Sequence, residues 1–184
     1  LNLREKTIVM TEEDMDRVLR RIANEIVEKN RGVGDLVILG IQRRGVHLAS
    51  RIRNMLRDSE GSKIPSGELD ITLYRDDLAV LSDDPVVHST SIPVSISGKN
   101  LVLVDDVLFT GRTIRAALDA LMDLGRPASV QLAILIDRGH RELPIQPDYL
   151  GKMVPTSSSE IVEVKVKELD GEDRVVICDR EVAI

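Results

Sequence analysis

Residues 101–113 read LVLVDDVLFTGRT. Leu101 to Val104 are apolar, Asp105 and Asp106 are adjacent acids, and Thr110, Gly111, Arg112 and Thr113 make a short polar turn before apolar residues at helical spacing begin at Ile114. This order predicts a buried parallel strand with the acids at its end, a loop of phosphate size, and a helix N-terminus. Ligands of open α/β sheets gather beyond the carboxyl ends of the strands. The first N–H groups of a helix have no intrahelical acceptor and lie at the positive end of its dipole, so an anion is the natural ligand. Gly111 permits close approach of that anion, and Thr110 and Thr113 add hydroxyl donors. Asp105 and Asp106 are unsuited to phosphate but suited to sugar hydroxyls or to the water shell of Mg²⁺. On these residues alone, a ligand-free strand–turn–helix junction with a solvated acid pair is an equal alternative. Neither a G-x-x-x-x-G-K-[ST] loop nor a G-x-G-x-x-G fingerprint is present.

A second junction of the same kind precedes it. Leu36 to Gly40 is a short apolar run, Ile41 to Gly45 a turn carrying Arg43 and Arg44, and Val46 to Arg57 a helical stretch. Arginine forks grip phosphate oxygens. Two anion loops at strand ends point to one ligand with two separated phosphate groups. Elsewhere, Lys6 to Met10 reads as an edge strand, and Thr11 caps an amphipathic helix running to about Lys29. Glu68 to Tyr74 alternates like a strand, and 75–91 is a polar, acidic stretch with the character of a lid, with His88 as a loop residue. Ser129 to Ile136 is another buried strand, followed by Asp137, Arg138, Gly139, His140 and Arg141. Pro144 and Pro147 exclude regular helix over 142–149. Ile161 to Leu169 and Val175 to Ile177 flank an Asp170-Gly171 hairpin signal.

Composition sets the bounds. With 184 residues and 42% hydrophobic content, a single domain with a real core is expected; with Phe109 the only Phe and no Trp, that core is aliphatic. The net charge of −6 argues against a strongly basic nucleic-acid binder but leaves room for a local patch. A lone Cys178, no apolar run of membrane length, and no secretory h-region in LNLREKTIVM lead us to expect a cytoplasmic protein without membrane association.

LVLVDDVLFTGRT resembles the phosphoribosyl-diphosphate (PRPP) signature of type I phosphoribosyltransferases. That resemblance implies an α/β fold: a central, mostly parallel sheet flanked by helices (core about 30–140), a small hood from the N- and C-terminal segments (about 141–184), and a flexible loop that closes over PRPP. It further implies that Asp105 and Asp106 hold the ribose hydroxyls and Mg²⁺, directly through PRPP or through water. PRPP and UMP would lie on Val107, Leu108, Phe109, Thr110, Gly111, Arg112 and Thr113. GIQRRG, with Arg43 and Arg44, is similar to the loop that holds the diphosphate, and LYRDD to the start of the closing loop, where Arg75 would meet phosphate. DITLYRDD, DRGHRELPI, DYLGK and VPTSSSE together resemble the pyrimidine-operon regulators that are also uracil phosphoribosyltransferases. The implied reaction is uracil plus PRPP giving UMP and pyrophosphate with Mg²⁺. Arg138 would grip the base or a phosphate, and the backbone near Val162 would read the pyrimidine edge. Purine enzymes of this fold carry an Asp proton acceptor where this chain has Phe109. The second activity implied is UMP-dependent binding of leader mRNA, attenuating transcription, with Arg20, Arg21, Arg141 and Lys152 as its basic patch; Asn24 and Gln146 depart from the residues often found in the family. A homodimer or homotetramer is expected. A non-catalytic, nucleotide-sensing RNA-binding regulator and a purine phosphoribosyltransferase are the alternatives.

Overall fold

The computed structural model of the chain describes residues 3–76 and 90–180. In order these form β1 (Leu3–Met10), α1 (Glu12–Asn30), β2 (Leu36–Ile41), α2 (Arg44–Glu60), β3 (Ser66–Leu69), a 3₁₀ turn (Thr72–Tyr74), β4 (Asn100–Leu108), α3 (Arg112–Leu124), β5 (Ser129–Asp137), β6 (Tyr149–Met153), β7 (Glu160–Lys165), a one-turn helix α4 (Lys167–Asp170) and β8 (Arg174–Arg180).

Five strands make an all-parallel sheet in the order β3-β2-β4-β5-β6. The apolar runs of β2 and β4 are continuous because both faces of this sheet are covered. Period-two geometry sorts them: Leu36, Ile38, Val102 and Val104 pack with Leu19, Ile22, Leu48 and Ile52 of α1 and α2. Val37, Leu39, Leu101 and Leu103 pack with Ile114, Ala117 and Leu121 of α3. A second sheet, β1-β8-β7, is antiparallel. Its inward residues Met10, Val162, Val164 and Val175 join the α1/α2 core, so this hood is fixed to the main body by apolar contact.

Several elements differ from the sequence reading. β4 runs on to Leu108, so Asp105 and Asp106 lie inside the strand rather than after it. Residues 68–74 are not one strand: β3 stops at Leu69, and the Asp70 carboxylate accepts from Thr72 N–H and Oγ1 at 2.8 and 2.6 Å, bending the chain into the 3₁₀ turn. Residues Tyr149–Met153 pair with β5 in the main sheet and not with the hood. The Asp170-Gly171 turn is the end of α4, with Gly171 at φ 77°. Most of the expected closing loop, 77–89, and His88 with it, lies outside the described residues.

Candidate active site

Adjacent parallel strands β2 and β4 send their chains to opposite faces of the sheet. β2 continues into α2 on one face and β4 into α3 on the other. The two loops diverge and open a crevice between the strand tips, the position where doubly wound sheets take ligands. Two glycines let the backbones meet there. A Cβ on Gly40 would stand 2.4 Å from Val46 Cα, and one on Gly45 would stand 2.5 Å from Val104 O and 3.3 Å from Asp105 Oδ1. The start of α2 is therefore pressed against the strand that carries the acids. The peptide between Gln42 and Arg43 is cis.

On the β4 side, Gly111 adopts φ 94°, a left-handed conformation that lets the chain turn directly into α3. The Thr110 carbonyl accepts from Glu142 N–H at 2.9 Å and Leu143 N–H at 3.1 Å, so the 142–145 segment props the turn from outside. Residues 107–113 together with Arg75 line a cavity of about 280 Å³. That cavity gathers Arg75 and the 107–113 segment; Asp105, Asp106, Arg43, Arg44, Arg138 and Val162 are not among the residues lining it.

Asp105 is 6% exposed. Burial and the neighbouring Asp106 charge push its carboxyl well above the usual carboxylate range, opposed in part by the Asp106 N–H and the positive charge of Arg75. Burial also raises Asp106, against the Val107 N–H and the Arg44 charge. Both carboxylates accept a neighbouring backbone N–H: Asp106 N to Asp105 Oδ1 at 3.0 Å, and Val107 N to Asp106 Oδ1 at 2.9 Å. Two adjacent buried acids held this way form a site that gains from a cation or from hydroxyl donors.

The arm after β5 is built around Asp137, which is 1% exposed. It accepts from Gly139 N–H at 3.0 Å and is paired with Arg141. Arg141 also donates to Phe109 O and Ile145 O, both at 2.8 Å. This guanidinium therefore brackets the 109–113 turn from behind. Arg138 is buried; it donates to Thr156 Oγ1 and to the carbonyls of Ser157 and Glu160, and its guanidinium sits 4.1 Å from the Phe109 ring centroid. It joins the hood to the phosphate turn. The His140 ring meets Phe109 edge-on at 5.7 Å.

Of the remaining candidates, Arg43 is exposed, and Arg44 donates to Asp170 Oδ1 at 2.9 Å. Arg112 is held by Asp76 and Glu142. The Val162 side chain is buried in the hood core, leaving only its backbone for recognition. Arg20 is exposed and paired with Asp16. Arg21 pairs with Glu25 and donates to the carbonyls of Leu150 and Gly151; Lys152, the next residue on β6, donates to Val9 O at 3.2 Å. Arg21 and Lys152 thus share the α1/β6 edge. Sequence reasoning assigned no role to Asp137, Asp170 or Arg51; Asp170 and Arg51 act through partners remote in the chain, Asp137 through Gly139 and Arg141 close to it.

A family model described as "Phosphoribosyl transferase domain" matches residues 10–178. The chain is 61% identical over 176 residues to the Bifunctional protein PyrR of Pelotomaculum thermopropionicum, covering 96% of this chain and 97% of that one. It is 57% identical over 179 residues to the Bifunctional protein PyrR of Thermus thermophilus, with 97% and 99% covered. The chain belongs to the PyrR family of phosphoribosyltransferases. The PyrR reading joins a uracil phosphoribosyltransferase activity to regulation of pyrimidine biosynthetic genes. Among solved structures, the hypoxanthine phosphoribosyltransferase of Trypanosoma cruzi superposes with a TM-score of 0.72 at 19% identity over 96% of this chain and 98% of that one. That of Staphylococcus aureus gives 0.70 at 20%, over 94% and 92%. At such identities the likeness concerns the fold, a type I phosphoribosyltransferase fold shared by PyrR and purine enzymes.

Proposed function

We propose that PRPP lies across the β2/β4 crevice, its 5-phosphate in the 109–113 turn and its diphosphate at the 42–45 loop, and that uracil attacks the ribose between them to give UMP and diphosphate. The observation that carries this reading is the meeting of the 42–45 loop with β4: Gly45 rests on Asp105, and the charge of Arg44 acts on Asp106. Asp105 and Asp106 hold the ribose hydroxyls and favour the positive charge that develops on the ring as diphosphate departs. Arg44, with the exposed Arg43, neutralises the leaving group. Arg75, which lines the same cavity, faces the phosphoribosyl group. The N–H groups at the start of α3 and the Thr110 and Thr113 hydroxyls take the 5-phosphate.

Mg²⁺ fits this donor set. Among the described residues no cluster of three or more His, Cys, Asp or Glu is gathered as a metal cage. Two adjacent carboxylates, each raised by burial, are relieved by a divalent cation that completes its shell with water and ligand oxygens. When bound, Mg²⁺ supplies charge neutralisation to the diphosphate.

Phe109 has no proton to exchange, so the base is positioned rather than deprotonated by the residue at this place. Phe109, stacked on Arg138, forms a wall beside the turn, and Arg138 ties the 156–160 segment above it. Incubating the chain with uracil, PRPP and Mg²⁺ should yield UMP; turnover of hypoxanthine in its place would reverse the choice of base. For regulation, the reading is UMP-dependent binding of the leader mRNA of the pyrimidine operon, with Arg20, Arg21 and Lys152 at the α1/β6 edge contacting backbone phosphates. Titration with that transcript, with and without UMP, tests it: equal affinity in both conditions would remove the switch.

A further inference from the structure

α2 begins at the crevice with Arg44 and carries Arg51 two turns further on, on the same face. Both arginines reach the β7–β8 connection of the hood. Arg51 donates to Glu168 Oε1 and Oε2 at 3.0 and 2.6 Å, and to Asp173 Oδ2 and Oδ1 at 2.9 and 2.8 Å. Arg44 donates one Nη2 bond, 2.9 Å, to Asp170 Oδ1. The Asp170 carboxylate is itself fixed, because its other oxygen accepts from Val166 N–H at 2.8 Å. Arg51 gives four of its five N–H donors to its acids. Arg44 gives one, and its Nε is buried and has no hydrogen-bond partner among the described residues. Its charge acts on Asp106, across the crevice. An unsatisfied buried N–H is costly, and Arg115 and Arg174 each carry one as well, so what sets Arg44 apart is its place at the crevice, at the start of α2.

We propose that Asp170 is a positioning residue for the leaving group: it holds one corner of the Arg44 guanidinium so that the remaining donors are aimed at diphosphate before PRPP arrives. The proposal rests on the phosphoribosyltransferase reading of the 42–45 loop. Arginine side chains carry large rotamer entropy, and a guanidinium anchored in advance loses less of it on binding. Asp170 is thus set apart from Glu168 and Asp173, which only dock the hood.

The test compares the full chain with Asp170→Asn and Glu168→Gln. Asparagine retains an acceptor for Val166 N–H and loses the charge that fixes Arg44. Titration of inorganic diphosphate with Mg²⁺ and steady-state kinetics of UMP formation are measured for all three. Asp170→Asn should weaken diphosphate binding and raise the KM for PRPP about tenfold, the scale of one charge-assisted hydrogen bond, with kcat changed by less than about threefold. Glu168→Gln should lower thermal stability without that selective effect. In an Arg44→Lys background, Asp170→Asn should add no further loss. Unchanged or tighter diphosphate binding in Asp170→Asn, an equal effect of Glu168→Gln, or full additivity with Arg44→Lys would overturn the role of Asp170. Absence of diphosphate binding and UMP formation in the wild-type chain would instead overturn the transferase reading, and the proposal with it.

Discussion

Gly45 and Asp105 touch through their backbones: a methyl group at Gly45 would lie 3.3 Å from Asp105 Cα and 2.5 Å from Val104 O. No side chain larger than hydrogen fits without lifting α2 off β4. Gly45→Ala is therefore expected to cost about 1–3 kcal/mol of stability by overpacking. It should also raise the KM for PRPP, because the loops that hold its two ends move apart. Thermal unfolding and initial rates check both effects.

The acid pair should reveal itself as a functional site that weakens the fold. The Asp105 carboxyl is raised above its ordinary value of about 3.9, by burial and then by Asp106. The native state thus holds its proton more tightly than the unfolded chain. Stability falls as pH rises from about 4 through the folded value. Asp105→Asn removes that loss: the variant should melt higher than wild type at pH 7, and the difference should shrink to nothing below about pH 4. The double variant with Asp106→Asn should lose roughly 10²-fold or more in kcat/KM. Near-normal turnover would make the acids bystanders.

The hood acids carry the opposite sign. Burial works against the Asp173 charge, but Arg51 and the Lys167 N–H outweigh it and lower its pKa; Glu168 is lowered chiefly by Arg51. Their stabilisation is complete above the ordinary carboxylate range and is lost as pH falls from there through the lowered folded values. Asp173→Asn should cost about 1–3 kcal/mol at pH 7, with the deficit fading in acid. A deficit that stays unchanged as pH falls from the ordinary carboxylate range toward acid unfolding would show that the ion pair is not its source.

What could be read from the chain was what is local in it. The apolar runs of β2 and β4, each followed by a glycine-bearing turn and a helix, announced both strand–loop–helix junctions. β6 escaped because YLGKM pairs a short apolar stretch with Gly151 and Lys152; its assignment depends on Gly151 lying against Leu135 O, where a Cβ would come within 2.2 Å. The role of Arg51 escaped because its acids lie 117 and 122 positions away. The contacts of Arg141 were only half legible: Asp137 is four residues away in the chain, but the Phe109 carbonyl is thirty-two away.

Arg138 links the base side of the crevice to the hood. Arg138→Met keeps much of the side-chain volume over Phe109 but leaves the Ser157 and Glu160 carbonyls without their donor. The 156–160 segment should loosen, raising the KM for uracil about tenfold while that for PRPP changes less, since the 42–45 loop is untouched and methionine keeps the packing over Phe109. Equal changes in the two constants would place Arg138 outside base recognition.

Arg141 and Lys152 separate the two activities. Lys152 is exposed on the edge strand, and its bond to Val9 O at 3.2 Å is the single one it makes among the described residues. Lys152→Glu should weaken leader-RNA binding, reduce its salt dependence by about one counterion, and leave UMP synthesis unchanged. Arg141→Gln should do the reverse: Phe109 O and Ile145 O lose their donor, Asp137 is left buried without its cation, and the phosphate turn loses its support. Its main effect should be a higher KM for PRPP with lower stability. If Arg141→Gln abolished RNA binding while uracil kinetics and melting stayed as in wild type, the guanidinium would belong to the RNA surface after all, and the bracket behind Phe109 would count for packing alone.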